Sequence, residues 1–127
     1  ADFRFLAIAN PRFAPYGIAA REVLKSRGLW NTLQGKLVQG ENIAQTYQFV
    51  SSGNAQLGFV AYAQLISRNE TKHGSIWNIP PELYTPIRQQ AVLLHDSVAA
   101  RGFLNYLRGE KGMAIIKAHG YDVYEGQ

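Results

Sequence analysis

The feature that most constrains the fold of this chain is a short apolar run close to its start. Residues 5–9 read Phe-Leu-Ala-Ile-Ala without a polar side chain, and the run stops at Asn10-Pro11. A continuous apolar run of this length is typical of a strand that is buried on both faces, as strands are in parallel sheets covered by helices. The start of the chain therefore predicts a buried parallel strand.

The strand is followed by a helical pattern, and this unit recurs along the chain. Further strands are predicted at residues 36–39, 57–60, 75–79 and 90–94. Helices are predicted between residues 17 and 28, at 43–53, 62–67, 97–108 and 110–119, with the stems of Arg27 and Lys117 turned inward. Strands that alternate with helices imply an α/β fold with a mostly parallel sheet flanked by helices and right-handed crossovers.

Composition excludes several classes of protein. The chain has 127 residues, enough for one compact unit, and its lack of cysteine excludes disulfide scaffolds, thiolate zinc sites and cysteine nucleophiles. The net charge of +4 is spread along the chain without a basic stripe, so no nucleic-acid partner is expected. The longest apolar runs are far shorter than the roughly 20 residues that span a bilayer, so no membrane insertion is expected.

Catalytic and metal-binding patterns are missing from the sequence. His73, His95 and His119 stand far apart, which argues against a metal site. His95, Asp96 and Ser97 are adjacent, and adjacent side chains point apart, so they cannot form a catalytic triad; Ser97 or Asp96 is better explained as a helix cap. No catalytic residue, metal or cofactor is therefore expected.

Two turns between strands and helices could hold an anion. They are Ala14-Pro15-Tyr16-Gly17 and Gly40-Glu41-Asn42-Ile43. In a parallel sheet such turns meet at one edge, where the free N–H groups and positive dipole end of a helix suit anions. Neither turn carries a lysine and only Arg12 lies nearby, which favours a small, dehydrated oxyanion. The alternative is that Pro15 and Gly17 only shape a turn and that Asn42 only caps a helix.

The order of several motifs resembles one family. Residues 6–11, 14–17, 40–43, 53–55 and 58–60 occur in this order in the C-terminal half of periplasmic molybdate-binding proteins, the substrate-binding components of molybdate ABC transporters. Residues 104–107 and 119–121 are similar to the closing helices of that family. The resemblance covers nearly the whole chain.

The resemblance implies a binding protein of the type II periplasmic class, not an enzyme. In that class a tetrahedral oxyanion, here molybdate or tungstate, lies between two lobes and is delivered to a membrane permease. The backbone N–H groups of Tyr16 and Ile43 match the family's contacts from the second lobe. Some members place a ligand-touching tyrosine hydroxyl where this chain has Ala61, followed by Tyr62, so a contact at Ala61 or Tyr62 stays open.

The resemblance also implies that the hydroxyl ligands of an N-terminal lobe lie outside this chain. Residues 1–89 would then form the second lobe without its first strand. Residues 90–127 would form a return hinge strand and C-terminal helices that could pack on the absent first lobe. Two other functions remain open: an oxyanion-sensing regulatory domain of the same fold, and a small α/β enzyme.

Overall fold

The computed structural model describes residues 2–68 and 74–123 and shows a small parallel sheet with helices around it. The strands are β1 (Leu6–Ala9), β2 (Leu37–Gly40) and β3 (Leu57–Gly58). The α-helices are α1 (Pro15–Ser26), α2 (Ile43–Ser51), α3 (Tyr62–Arg68), α4 (Val98–Arg108) and α5 (Glu110–Ala118). Short 3-10 turns occur at Gln34–Lys36 and Pro81–Leu83.

β1 is the central strand of the sheet. The strand order is β2-β1-β3, and both pairings are parallel, with Leu6 opposite Leu37 on one side and Leu57 on the other. All four residues of β1 are buried. The prediction from the apolar run is confirmed: a strand with neighbours on both edges and helices on both faces has no position that could be polar.

Alternate residues of β1 face different helices, as the geometry of a strand requires. Leu6 and Ile8 pack against Ala20 and Leu24 of α1 in the main apolar cluster. On the other face α2 comes so close that a Cβ at Gly58 would collide with Cγ2 of Val50 and lie 3.5 Å from Cβ of Ala7. The sheet is therefore the middle of three layers.

A glycine allows α1 to begin directly beside the end of β1. A Cβ at Gly17 would lie 2.7 Å from the carbonyl carbons of Ala9 and Asn10, so no larger residue fits there. The helix ends where predicted, because Gly28 has a φ of +69° and supplies the left-handed residue that closes many helices. Arg27, whose stem was expected to turn inward, is exposed instead.

Two predicted strands are wrong. Residues 75–79 and 90–94 belong to no strand, and β3 covers two residues where four were predicted. An apolar run becomes a strand only when another strand pairs with it, and neither segment pairs with the described part of the sheet. Their side chains are open to solvent, with Trp77 58% exposed and Leu94 92% exposed.

The last two helices form a hairpin whose caps were predicted correctly. The Ser97 hydroxyl accepts a hydrogen bond from the Ala100 N–H at 3.1 Å and caps α4, and Gly109 separates α4 from α5. The end of α5 approaches α3, because a Cβ at Gly120 would lie 3.2 Å from Cα of Ala63. Lys117, expected to turn inward, is exposed. In the described ranges no helix is long and apolar enough to cross a membrane.

Candidate functional site

The carboxyl ends of the three parallel strands lie at one edge of the sheet, and a helix begins after each of them. α1 follows β1, α2 follows β2 and α3 follows β3. Ligands of open α/β sheets bind at this edge, because the first N–H groups of each helix have no partner within the helix. The two turns singled out in the sequence both lie there.

The turn before α1 is built around Asn10. The Asn10 side-chain oxygen accepts from the N–H of Arg12 at 3.0 Å, and its carbonyl accepts from the N–H of Ala14 at 2.9 Å. The Asn10 N–H donates to the carbonyl of Gly40 at 2.8 Å, which ties this turn to the end of β2. The two anion turns are thus held together by the backbone.

Pro15 occupies the first position of α1, so Tyr16 carries the first helical N–H. The next two N–H groups, of Gly17 and Ile18, donate to the carbonyl of Ala14 at 2.9 and 3.0 Å. In the part of the chain that the structure describes, no protein acceptor pairs with the N–H of Tyr16. This turn therefore offers one available backbone donor.

The turn before α2 is capped from both sides. The Asn42 side-chain oxygen accepts from the N–H of Gln45 at 2.9 Å, and the Gln45 side chain accepts from the N–H of Glu41 at 2.7 Å. Thr46, which is fully buried, donates from its hydroxyl to the Asn42 carbonyl at 2.9 Å. A Cβ at Gly40 would lie 2.7 Å from N and Oγ1 of Thr46, so the end of β2 must be glycine.

This capping leaves the N–H groups of Ile43 and Ala44 available. Within residues 2–68 and 74–123 neither of them donates to a protein acceptor. Asn42 thus acts as the cap that the alternative interpretation foresaw, while the first N–H of the helix stays unused. The cap interpretation concerns the side chain of Asn42 and the anion interpretation concerns the N–H of Ile43, so the two are compatible.

The turn before α3 is capped by the side chain of Gln64. Ala61 is buried, and its N–H donates to Oε1 of Gln64 at 3.0 Å. Tyr62 begins α3 and is half-exposed. Ala61 thus presents no hydroxyl and no available N–H. Sequence reasoning missed Gln64, although glutamine three residues after a helix cap is a known capping signal.

The phenol of Tyr16 stays neutral at the pH of a cell. Burial raises its pKa, and the neighbouring Tyr121 and Tyr84 raise it further. Arg12 is exposed and forms no ion pair with the described residues. The candidate site thus offers backbone donors beside a neutral phenol, and the charged side chains of Arg12 and Glu41 nearby are exposed.

Other residues considered in the sequence do not form a centre. No group of three metal-ligating side chains exists in the described ranges, and His73 lies outside them. Asp96 pairs with Arg101 on the surface, and this ion pair lowers the pKa of the Asp96 carboxyl. Ring nitrogen Nδ1 of His119 lies 2.8 Å from the carbonyl of Ile115 in its own helix. These contacts account for Asp96 and His119 without a catalytic or metal-binding role.

Comparison with known proteins identifies a family that this chain matches. The family model described as bacterial extracellular solute-binding protein matches residues 1–122. This chain belongs to that family. Its fold class, a parallel sheet flanked by helices, is also that of a solved relative, the periplasmic molybdate-binding protein of Azotobacter vinelandii. The TM-score is 0.86 at 39% identity, and the match covers 98% of this chain and 56% of the other.

Two relatives in this family carry the resemblance foreseen from the motifs. A molybdate-binding protein of Azotobacter vinelandii is 50% identical over 122 residues, which is 94% of this chain and 48% of that protein. A molybdate-binding protein of Rhodobacter capsulatus is 45% identical over 123 residues, with the same two shares. The chain spans about half the length of these relatives. The resemblance to molybdate-binding proteins is confirmed over that half.

Proposed function

We propose that this chain supplies one side of a cleft that binds a tetrahedral oxyanion, with molybdate as the ligand and tungstate as its near equal in size and charge. The observation that carries the proposal is that the N–H groups of Tyr16 and Ile43, at the same edge of the sheet, have no protein acceptor among the described residues. Its support is membership in a solute-binding family and relatives named for molybdate binding.

The physical basis is recognition of charge by dipoles. A helix N-terminus acts as a partial positive charge and presents N–H donors along its axis. α1 and α2 have 12 and 9 residues and begin beside each other, since Asn10 and Gly40 are hydrogen-bonded at 2.8 Å. An oxyanion between them would receive hydrogen bonds from both helices without a lysine or arginine. No cofactor or metal has a role in this mechanism.

The proposal extends to a longer molecule. We infer that residues 1–89 belong to one lobe and that residues 90–127 return toward a second, N-terminal lobe that completes the cleft. Exposed apolar side chains on and before the α4–α5 hairpin support this division, since Leu94 and Val98 are each 92% exposed. The whole protein would act in the periplasm, pass its ligand to an ABC transporter permease and catalyse no reaction.

Closure of such a cleft follows from the ligand's own contacts. A ligand that touches two lobes stabilises the closed arrangement by the difference between its affinities for the closed and open states. On the side described here, Gly40, Asn42 and Thr46 are held by close packing and hydrogen bonds. Closure would therefore move this side as one body.

The test is to remove one N–H while keeping the helix. Ile43 is the first residue of α2, where proline is well tolerated, and Asn42 before it is extended with φ −146° and ψ 176°, as a residue before proline must be. Ile43→Pro in the full-length gene product should weaken molybdate binding by about 1–3 kcal/mol, or roughly 5- to 150-fold, by calorimetry.

Two variants serve as controls for this experiment. Ile43→Ala keeps the N–H and should bind molybdate within about threefold of the unmodified protein, and Tyr16→Phe keeps its N–H and should do the same. Equal losses in Ile43→Pro and Ile43→Ala would assign the effect to the side chain. Full affinity in Ile43→Pro would move the ligand away from α2.

A further inference from the structure

We propose that Gln64 is a positioning residue of this site, a role that presupposes the oxyanion cleft proposed above. Its side-chain amide would fix the first turn of α2 in the orientation that presents donors to the ligand. It would also withdraw the N–H of Ala61 from the ligand. Gln64 would do both without touching the anion itself.

The geometry joins two turns that are distant in sequence. Oε1 of Gln64 accepts from the Ala61 N–H at 3.0 Å, and Nε2 of Gln64 donates to the Ile43 carbonyl at 3.2 Å. Only one orientation of the amide satisfies both partners, since the N–H needs an acceptor and the carbonyl needs a donor. The half-buried position of Gln64 makes these two bonds stronger than they would be in open water.

The bond to the Ile43 carbonyl controls the neighbouring donors. A peptide group is planar, so the Ile43 oxygen and the Ala44 N–H point in opposite directions from one rigid plane. Holding the oxygen toward α3 therefore aims the Ala44 N–H away from α3. The N–H of Ile43 begins the same turn, and both N–H groups are unused in the described residues.

The bond to Ala61 acts on the turn before α3, where it occupies a donor. Gln64 is the third residue of α3, and from there its side chain reaches back to the residue before the helix, as in one half of a capping box. This contact occupies the N–H of Ala61 at the sheet edge. Gln64 thus fixes both turns at once, because it holds the Ile43 carbonyl and the Ala61 N–H with the two ends of one amide.

Gln64→Glu and Gln64→Leu separate this role from simple packing. Leucine has a similar size and forms neither hydrogen bond. A glutamate can still accept from Ala61, but when ionised it cannot donate to the Ile43 carbonyl, whereas a protonated carboxyl can. Gln48→Glu and Gln48→Leu are matched controls, because Gln48 is exposed on α2 and its side chain has no hydrogen bond among the described residues.

The first measurement needs no ligand. Amide proton exchange and ¹H–¹⁵N spectra of the full-length gene product are recorded for the unmodified protein and all four variants. In Gln64→Leu the Ala61 N–H should exchange at least tenfold faster, and the Ala44 resonance should shift. The Gln48 variants should leave both signals unchanged. An unaltered Ala61 exchange rate in Gln64→Leu would overturn the role of Gln64.

The second measurement is calorimetry with sodium molybdate between pH 5 and pH 8, with each variant compared with the unmodified protein at the same pH. Gln64→Leu should lose about tenfold in affinity at every pH. A nearby oxyanion raises the pKa of a carboxyl, so Gln64→Glu should lose more than tenfold at pH 8 and recover part of the loss toward pH 5. Gln48→Glu should show no such pH profile.

The outcomes distinguish this role from the proposed function. Full molybdate affinity in both Gln64 variants would overturn the positioning role and leave the oxyanion site standing. No binding by the unmodified protein would reject the oxyanion site, and the exchange rate of Ala61 would still decide whether Gln64 holds the two turns. If Gln64→Leu fails to fold, the pH profile of Gln64→Glu decides the question alone.

Discussion

Residues 2–68 and residues 74–123 contain similar fractions of apolar residues and use them in different ways. Every buried apolar side chain that the structure describes lies in the first region, from Leu6 to Ala61. In the second region large apolar side chains remain open to solvent: Ile76, Trp77, Val92, Leu93, Leu94, Val98, Phe103, Tyr106, Ile115 and Tyr121. An apolar segment becomes part of a core only where neighbouring strands and helices cover it.

The physical reason lies in the number of covered faces. β1 has a strand on each edge and a helix on each face, so its four residues lose nearly all contact with water. α4 packs mainly against α5. In a pair of helices each helix covers only one face of the other, and the remaining faces stay open. The second region therefore carries a surface that suits a further packing partner, which we propose to be the N-terminal lobe.

The largest expected effect contrasts Ile8 with Phe103. Ile8 is fully buried, so Ile8→Ala should lower the free energy of unfolding of the 127-residue chain by about 4 kcal/mol, through lost transfer energy and a cavity. Phe103 is 62% exposed, so Phe103→Ala should change it by less than about 0.5 kcal/mol. Urea unfolding measures both.

The effect of Phe103→Ala in the full-length gene product tests whether the N-terminal lobe covers α4. There Phe103→Ala should become clearly destabilising, by more than about 1 kcal/mol, if the N-terminal lobe covers α4. Equal, small effects of Phe103→Ala in both proteins would mean that the exposed face of α4 stays uncovered.

A second contrast uses two helical glycines. Gly17→Ala forces a Cβ against the end of β1 and should cost about 3 kcal/mol of unfolding free energy. At Gly102, inside α4, a Cβ would meet nothing within 4 Å, so Gly102→Ala should stabilise the chain by up to about 1 kcal/mol. Thermal unfolding should show shifts of opposite sign. A lower melting temperature for Gly102→Ala would indicate a neighbour that the described contacts lack.

The smallest stability effect contrasts two helix caps. Asn42→Ala removes the cap of α2 and should cost about 1 kcal/mol, with a parallel loss of molybdate affinity because the first turn of α2 loosens. Ser97→Ala removes the cap of α4 and should cost a similar amount of helix stability. The molybdate affinity of the Ser97→Ala variant should not change. Equal losses of affinity in both variants would show that the site depends on general stability alone.

The sequence predicted the first region better than the second, and the reasons are local. The cap at Asn42 and the left-handed Gly28 take their conformation from neighbours in the chain, and the run at residues 5–9 finds strand partners on both edges. Residues 75–79 and 90–94 were misassigned because a strand depends on a pairing partner that local sequence does not reveal. Gln64 carried a local capping signal toward Ala61, but its contact with Ile43 spans 21 residues and could not be inferred from local sequence.

The spacing of residues predicted the candidate site only as turns, and the resemblance to a family named the backbone N–H groups of Tyr16 and Ile43 within them. The sequence located Tyr16 and Ile43 at helix starts, which the structure places at the same sheet edge. Which N–H groups stay available depends on side-chain caps, such as that of Gln64 on Ala61. The proposed roles of Tyr16 and Ile43 in binding, and the contact left open at Ala61 or Tyr62, stay predictions.

The most direct test of whether these residues form only one side of the site is calorimetric titration of sodium molybdate into the 127-residue chain and into the full-length gene product. A few hydrogen bonds from one side of a cleft, each worth roughly 0.5–1.5 kcal/mol, fall short of the roughly 8 kcal/mol that micromolar affinity requires. We expect millimolar or undetectable binding by the chain and micromolar or tighter binding by the full-length gene product. Micromolar binding by the monomeric chain would contradict the proposal that these residues form only one side of the site.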